Sequence, residues 1–169
     1  FLSNNNTRYE KDFPPIMKQE DLSEYPLSIN QQQLWFFDQL QIPSSVYNIP
    51  GAINIKGCID IPKLENSFNE LIKRHDVLRT TFSVTAGKPV QRITAYKPIS
   101  IPIQDLQFMN KKEAESYFFE NACVEAQKAL YLINGPLLRP VIWILGEERT
   151  ILQITIHHII SDAWSMNVL

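Results

Sequence analysis

The stretch LLRPVIWILGEERTILQITIHH, residues 137–158, constrains the fold of this chain more than any other. Two runs of aliphatic and β-branched residues flank a polar turn over 146–149, which predicts two consecutive strands. A sheet built on such strands must bury its apolar side against another layer. The remaining sequence supplies helices for that layer.

IPKLENSFNELIKRH (61–75) is the clearest of them, with Leu64, Phe68, Leu71 and Ile72 on one stripe. Pro62 suits a first turn, and Lys73, Arg74 and His75 suit the negative end of the helix dipole. NKKEAESYFFENACVEAQKAL predicts a second long helix, with Ala114, Phe118, Ala122 and residues 124–125 near its buried side. In PLSINQQQLWFFDQL, Ser28 can cap a helix carrying Gln31, Leu34, Trp35 and Asp38, which Pro43 closes. LRTTFSV and KPVQRIT flank an Ala-Gly turn and predict a hairpin. Residues 46–57 predict another strand, firmest over 52–56, and SIPIQDL a short one. The pattern is of the α+β class, a mixed β-sheet packed by helices.

A chain of 169 residues, 44% hydrophobic, suits one globular unit with a sizeable core. The net charge of −2, without a basic cluster, points away from nucleic acid. No apolar run is long enough to span a membrane as a helix. The first residues, FLSNNNTRYEKD, lack the order of a signal peptide and lack a methionine, so an excised piece of a longer chain is expected. Residues 1–26 read as an interdomain linker. Cys58 and Cys123 have no CxxC spacing and are expected to be buried thiols of a reducing, cytoplasmic compartment. After Asp162, a candidate N-cap, AWSMNVL predicts the start of a helix with Trp164, Val168 and Leu169 on one face. That helix is expected to continue beyond Leu169.

Two of the three histidines stand together in ITIHHIISDAWS. Strand alternation puts His158 on the apolar side with Leu152, Ile154 and Ile156, and His157 on the other with Gln153 and Thr155. Burial disfavours the charged imidazole, and a neutral ring can accept a proton. Three readings stand on the residues alone: an inert hydrogen-bonded pair, a metal site of His157, His158 and Asp162, or a catalytic base. Adjacent strand histidines point apart, which counts against a metal. The chain has no G-x-S-x-G elbow, no cysteine in a nucleophile's context and no Gly-rich phosphate loop. An enzyme of this kind would activate the substrate's own nucleophile.

PLSINQQQLWFFDQL, RHDVLRTTF and IHHIISDAWS resemble, in order and spacing, the first three core motifs of condensation domains of nonribosomal peptide synthetases. The resemblance runs from Pro26 to Leu169; the third motif, HHxxxD, is shared by a wider acyltransferase superfamily. It implies a V-shaped pair of chloramphenicol-acetyltransferase-like lobes, of which residues 27–169 would be the N-terminal one. It implies amide formation between an upstream acyl or peptidyl thioester and the amine of a downstream aminoacyl thioester. Both substrates would arrive on phosphopantetheine arms of carrier domains, with no cofactor bound by the lobe itself. The implied partners are the C-terminal lobe, the two carrier domains and an adjacent adenylation domain.

By the same resemblance, His158 is the catalytic residue, positioning or deprotonating the amine or stabilising the tetrahedral intermediate. His157 is structural, and Asp162 holds the loop by pairing with an arginine of the other lobe. Ala163 stands where the family commonly has glycine, Gln33 where it has arginine, Asn30 where it has alanine and Asp76 where it has glutamate. Trp164 and Ser165 pack the helix start or touch substrate, and Arg79 reads as scaffold. SSVYNIP looks like domains that accept an L-configured donor. Alternatives of the same build are an epimerisation domain, a CoA-dependent acyltransferase and a non-catalytic recruitment module. A heterocyclisation domain would carry aspartate in place of His157. The excised lobe is expected to be inactive alone.

Overall fold

A computed structural model describes residues 23–40, 45–162 and 164–165 of the chain. Pro43, Ala163, Val168, Leu169 and most of the expected linker lie outside the described residues. Two antiparallel ladders put β7 (Arg149–His157) at the centre of a sheet, between β2 (Asn48–Lys56) and β6 (Leu138–Gly146). The short β5 (Ile103–Asp105) adds to β6 in parallel, giving the order β2-β7-β6-β5. A second, three-stranded sheet has the order β1-β4-β3, from β1 (Tyr25–Pro26), β4 (Lys88–Ile93) and β3 (Thr80–Thr85). The sequence predicted every strand but β1, and one mixed sheet; the described residues form two. The divider is the hairpin β3–β4, which pairs with itself and β1 rather than joining β7.

Residues 138–157 form a hairpin covered on both sides. Leu138, Ile142, Leu152 and Ile156 face a core with Phe68, Ile72 and Phe82. Val141, Trp143, Leu145 and Ile151 face a second core with Ala114 and Phe118. Each such side chain contributes roughly 1.5–3 kcal/mol of transfer free energy, so the pair is the fold's anchor. The hairpin turn between β3 and β4 needs two left-handed residues, and Ala86 (φ 50°) and Gly87 (φ 76°) supply them.

Helix α1 (Ile29–Leu40) starts at a reciprocal cap: Gln31 N–H donates to Ser28 Oγ (3.2 Å) and Ser28 N–H to Gln31 Oε1 (2.9 Å). Helix α2 (Ile61–Arg74) is capped by Asp60, which accepts from Lys63 N–H, and buries Phe68 and Ile72 as its stripe predicts. A 3₁₀ turn, Asp76–Arg79, links it to β3. Arg79 ties these pieces together by donating to Ile72 O (3.2 Å) and Thr94 O (2.8 Å) and pairing with Asp76.

Helix α3 (Lys111–Gln127) opens with a capping box of Asn110 and Glu113. Its last turn holds no basic residue, yet helix-end carbonyls need donors. The sheet provides them: Gln153 Nε2 to Ala122 O (2.8 Å), Arg139 Nη2 to Glu125 O (2.7 Å) and Asn48 Nδ2 to Ala126 O (2.8 Å). Arg139 Nε also lies 2.8 Å from the Glu125 carboxylate.

Three expectations are corrected. Val124 is 58% exposed, because α3 rolls Ala114, Phe118 and Ala122 onto the sheet and carries Val124 past the contact edge. Cys58 and Cys123 are exposed, not buried. Cys58 follows the turn residue Gly57 beyond the end of β2, and Cys123 sits one step outside Ala122 on α3. The final residues of the expected linker belong to the fold: Tyr25 and Pro26 pair with Gln91 and Val90, and Glu24 pairs with Arg92.

Candidate functional site

The end of β7 is fixed by both neighbours. His157 N–H donates to Leu137 O (2.9 Å) and His158 N–H to Tyr47 O (2.8 Å). The chain then turns at once, with Ile160 N–H reaching His157 O (3.1 Å). Across residues 155–161, His158 alone is exposed; Ile159 and Ile160 are buried at 4% and 5% exposure. Buried neighbours on both sides thus hold one imidazole outward.

This corrects the strand-phase expectation. The ladder stops at His157, so the period of two does not carry over to His158, which stands in the turn. Burial falls on His157, fully enclosed and 6.2 Å from the Tyr47 ring centre. Burial, with a smaller contribution from the charge of His158, lowers its pKa to about 4. Its Nδ1 accepts from Ile159 N–H (3.1 Å), which locks ring and turn together.

Asp162 caps the segment that follows. Its Oδ1 accepts from Ser165 N–H (2.8 Å) and Ser165 Oγ (2.6 Å). These bonds, the hydroxyl's first, hold its carboxyl below the usual carboxylate range. Trp164 is 79% exposed rather than packed.

The three motifs converge here. Gln31 of α1 donates to Ile159 O (3.4 Å). His75, Val77 and Leu78 meet Ile156, Ile160, Ser161, Trp164 and Ser165 around a cavity of about 230 Å³. Arg79 makes no hydrogen bond to the histidine turn among the described residues, its guanidinium being spent on α2, Asp76 and Thr94. Sequence reasoning missed Ser161, whose buried hydroxyl has no described partner, and Asn48 and Arg139, which tie the end of α3 to the sheet. The polar alternation Gln153, Thr155, His157 was the available signal for that second polar face. An outward imidazole on a rigid turn can accept a proton from, or hydrogen-bond, a group presented from outside this lobe.

A family model described as "Condensation domain" matches residues 21–169. One of the subunits of linear gramicidin synthase from Brevibacillus parabrevis is 38% identical over 156 residues, covering 92% of this chain and 3% of that protein. The crystal structure of the starter condensation domain of rhizomide synthetase RzmA superimposes with a TM-score of 0.76 at 26% identity, covering 87% of this chain and 35% of that one. A mutant of that domain in complex with C8-CoA gives a TM-score of 0.71 at 27% identity, covering 81% and 31%. The chain therefore spans a few per cent of the gramicidin synthase polypeptide and about a third of the solved domain.

Proposed function

The chain belongs to the condensation domain family, and from that premise we propose that it forms the N-terminal lobe of an amide-forming domain in a cytoplasmic peptide synthetase, the lobe taking in Glu24, Tyr25 and Pro26. The donor is an acyl or peptidyl thioester on an upstream carrier domain. The acceptor is the amine of an aminoacyl thioester on a downstream carrier domain. The amine nitrogen attacks the thioester carbonyl, a C–N bond forms, the C–S bond breaks, and the donor arm leaves as a thiol. One proton must leave the nitrogen, and His158 receives it or holds the amine by a hydrogen bond.

The observation that carries this reading is the exposure of His158 within residues 155–161, whose other members are all buried. A proton acceptor working on arms delivered from outside must be held and reachable, and His158 is exposed on a turn whose backbone is hydrogen-bonded to Leu137 and Tyr47. Positioning amine and thioester together supplies further several kcal/mol of barrier reduction. The C-terminal lobe, both carriers and an adenylation domain are the partners of the reaction; phosphopantetheine belongs to the carriers. His157 supports the turn, while Asp162 and Ser165 set its exit.

A second reading has one observation in its favour: the solved relatives include a starter condensation domain complexed with C8-CoA. Here the donor would be a fatty acyl group from CoA. The test is a donor competition in the intact synthetase. The acceptor carrier is loaded with its aminoacyl group, and product is followed by mass spectrometry with either a loaded upstream carrier or an acyl-CoA. Carrier-dependent product supports elongation. Product from acyl-CoA alone supports the starter reading, and product from neither refutes both.

A further inference from the structure

We propose that the sheet face beneath α3 holds one bound water joining His157, Thr155 and Asn48, and that this water fixes the ring beneath the displayed His158. His157 Nδ1 accepts the Ile159 N–H, so the neutral ring carries its proton on Nε2. That Nε2 is buried and donates to no described residue. Thr155 Oγ1 and Asn48 Oδ1 are also buried without a partner, Asn48 having spent its Nδ2 on Ala126 O and Lys128 O.

The ladder puts these three residues side by side on one face. Asn48 stands directly opposite His157 in the β2–β7 pairing, and Thr155 is two residues back on the same face. The His158 N–H to Tyr47 O bond makes the neighbouring pair the hydrogen-bonded one, so Asn48 and His157 form the closer, non-bonded kind. The cation of this face is not their partner, since Arg139 is engaged by Glu125, Lys128 and Ala129.

One water can serve all three groups. It accepts from Nε2–H, donates to Asn48 Oδ1, and shares a hydrogen bond with the Thr155 hydroxyl, which can donate or accept. Three bonds are what a buried water typically makes, and three buried polar groups left unpaired would be costly. The imidazole is then held at both nitrogens, one by the turn's own N–H and one through water to β2 and the end of α3. His157 on this account is a positioning residue, and the inference stands whether or not the proposed reaction is right.

Two measurements on the intact domain test it. A crystal structure resolving single waters should show one within hydrogen-bond distance of His157 Nε2, Thr155 Oγ1 and Asn48 Oδ1. A dry site, or Nε2 bonded directly to a protein atom, would overturn the proposal. Histidine side-chain ¹⁵N spectra should report the Nε2–H tautomer, with magnetisation transfer from that proton to a long-lived water. An Nδ1–H tautomer contradicts it. Thr155→Val, which keeps the shape, should weaken or abolish that transfer; an undiminished signal would remove Thr155 from the site and sink the three-point assignment.

Discussion

Acidifying the protein from about pH 7 to pH 5 should destabilise it through His157. The ring is fully enclosed and its pKa is lowered from 6.5 to about 4. The unfolded chain therefore binds a proton that the folded chain refuses, throughout the window between those values. Because the folded pKa is the lower one, the stabilising contribution is complete above 6.5 and is lost as pH falls toward 4. At 1.36 kcal/mol per pH unit, the loss is about 2 kcal/mol by pH 5 and roughly 3 kcal/mol once both states are protonated. Glu24, Asp60 and Asp162, whose pKa values are lowered, add their own losses only in the carboxylate range, so the assay stays above pH 5. The readout is the free energy of urea unfolding at half-unit pH steps, for the natural protein and for His157→Gln. The slope should be present in the first and absent in the second. Constant stability of the natural protein from pH 7 to 5 would refute the burial argument.

Arg139→Met removes the donor that closes α3 and one of the two cations paired with the largely buried Glu125 carboxylate, Lys128 remaining, so urea unfolding should show a loss of about 1.5–3 kcal/mol. Asn110→Ala breaks the capping box at the other end of α3 and should cost about 1 kcal/mol in the same assay. Ile156→Ala opens a cavity in a fully buried position and should cost about 2–5 kcal/mol. Cys58 and Cys123 should both react with a disulfide reagent in the folded protein, without the lag that buried thiols show.

Much of this fold is legible in the sequence because periodicity and caps are local. The stripe of Leu64, Phe68, Leu71 and Ile72, the Ala-Gly hairpin and the Ser28–Gln31 cap all form where the residues place them. What failed depends on partners distant in sequence. The separation into two sheets is decided by which strands pair, and no local pattern records that β3–β4 takes β1 as its neighbour. The thiols of Cys58 and Cys123 are small and apolar enough for a core, and only the roll of α3 and the end of β2 expose them. At the site, alternation placed His157 with Gln153 and Thr155 correctly, and it misled one residue later because the strand had ended. The error reversed the burial of the two histidines. The turn leaves His158 exposed, which is what the proposed role requires.

The most direct test of the central claim is the single-turnover rate of amide formation in the intact synthetase, with both carriers loaded, for the natural protein and for His158→Ala. An imidazole that takes or holds the amine proton predicts a rate at least about tenfold lower in the variant, with unfolding stability little changed at this exposed position. An unaltered rate would contradict the account and leave the histidine pair as architecture.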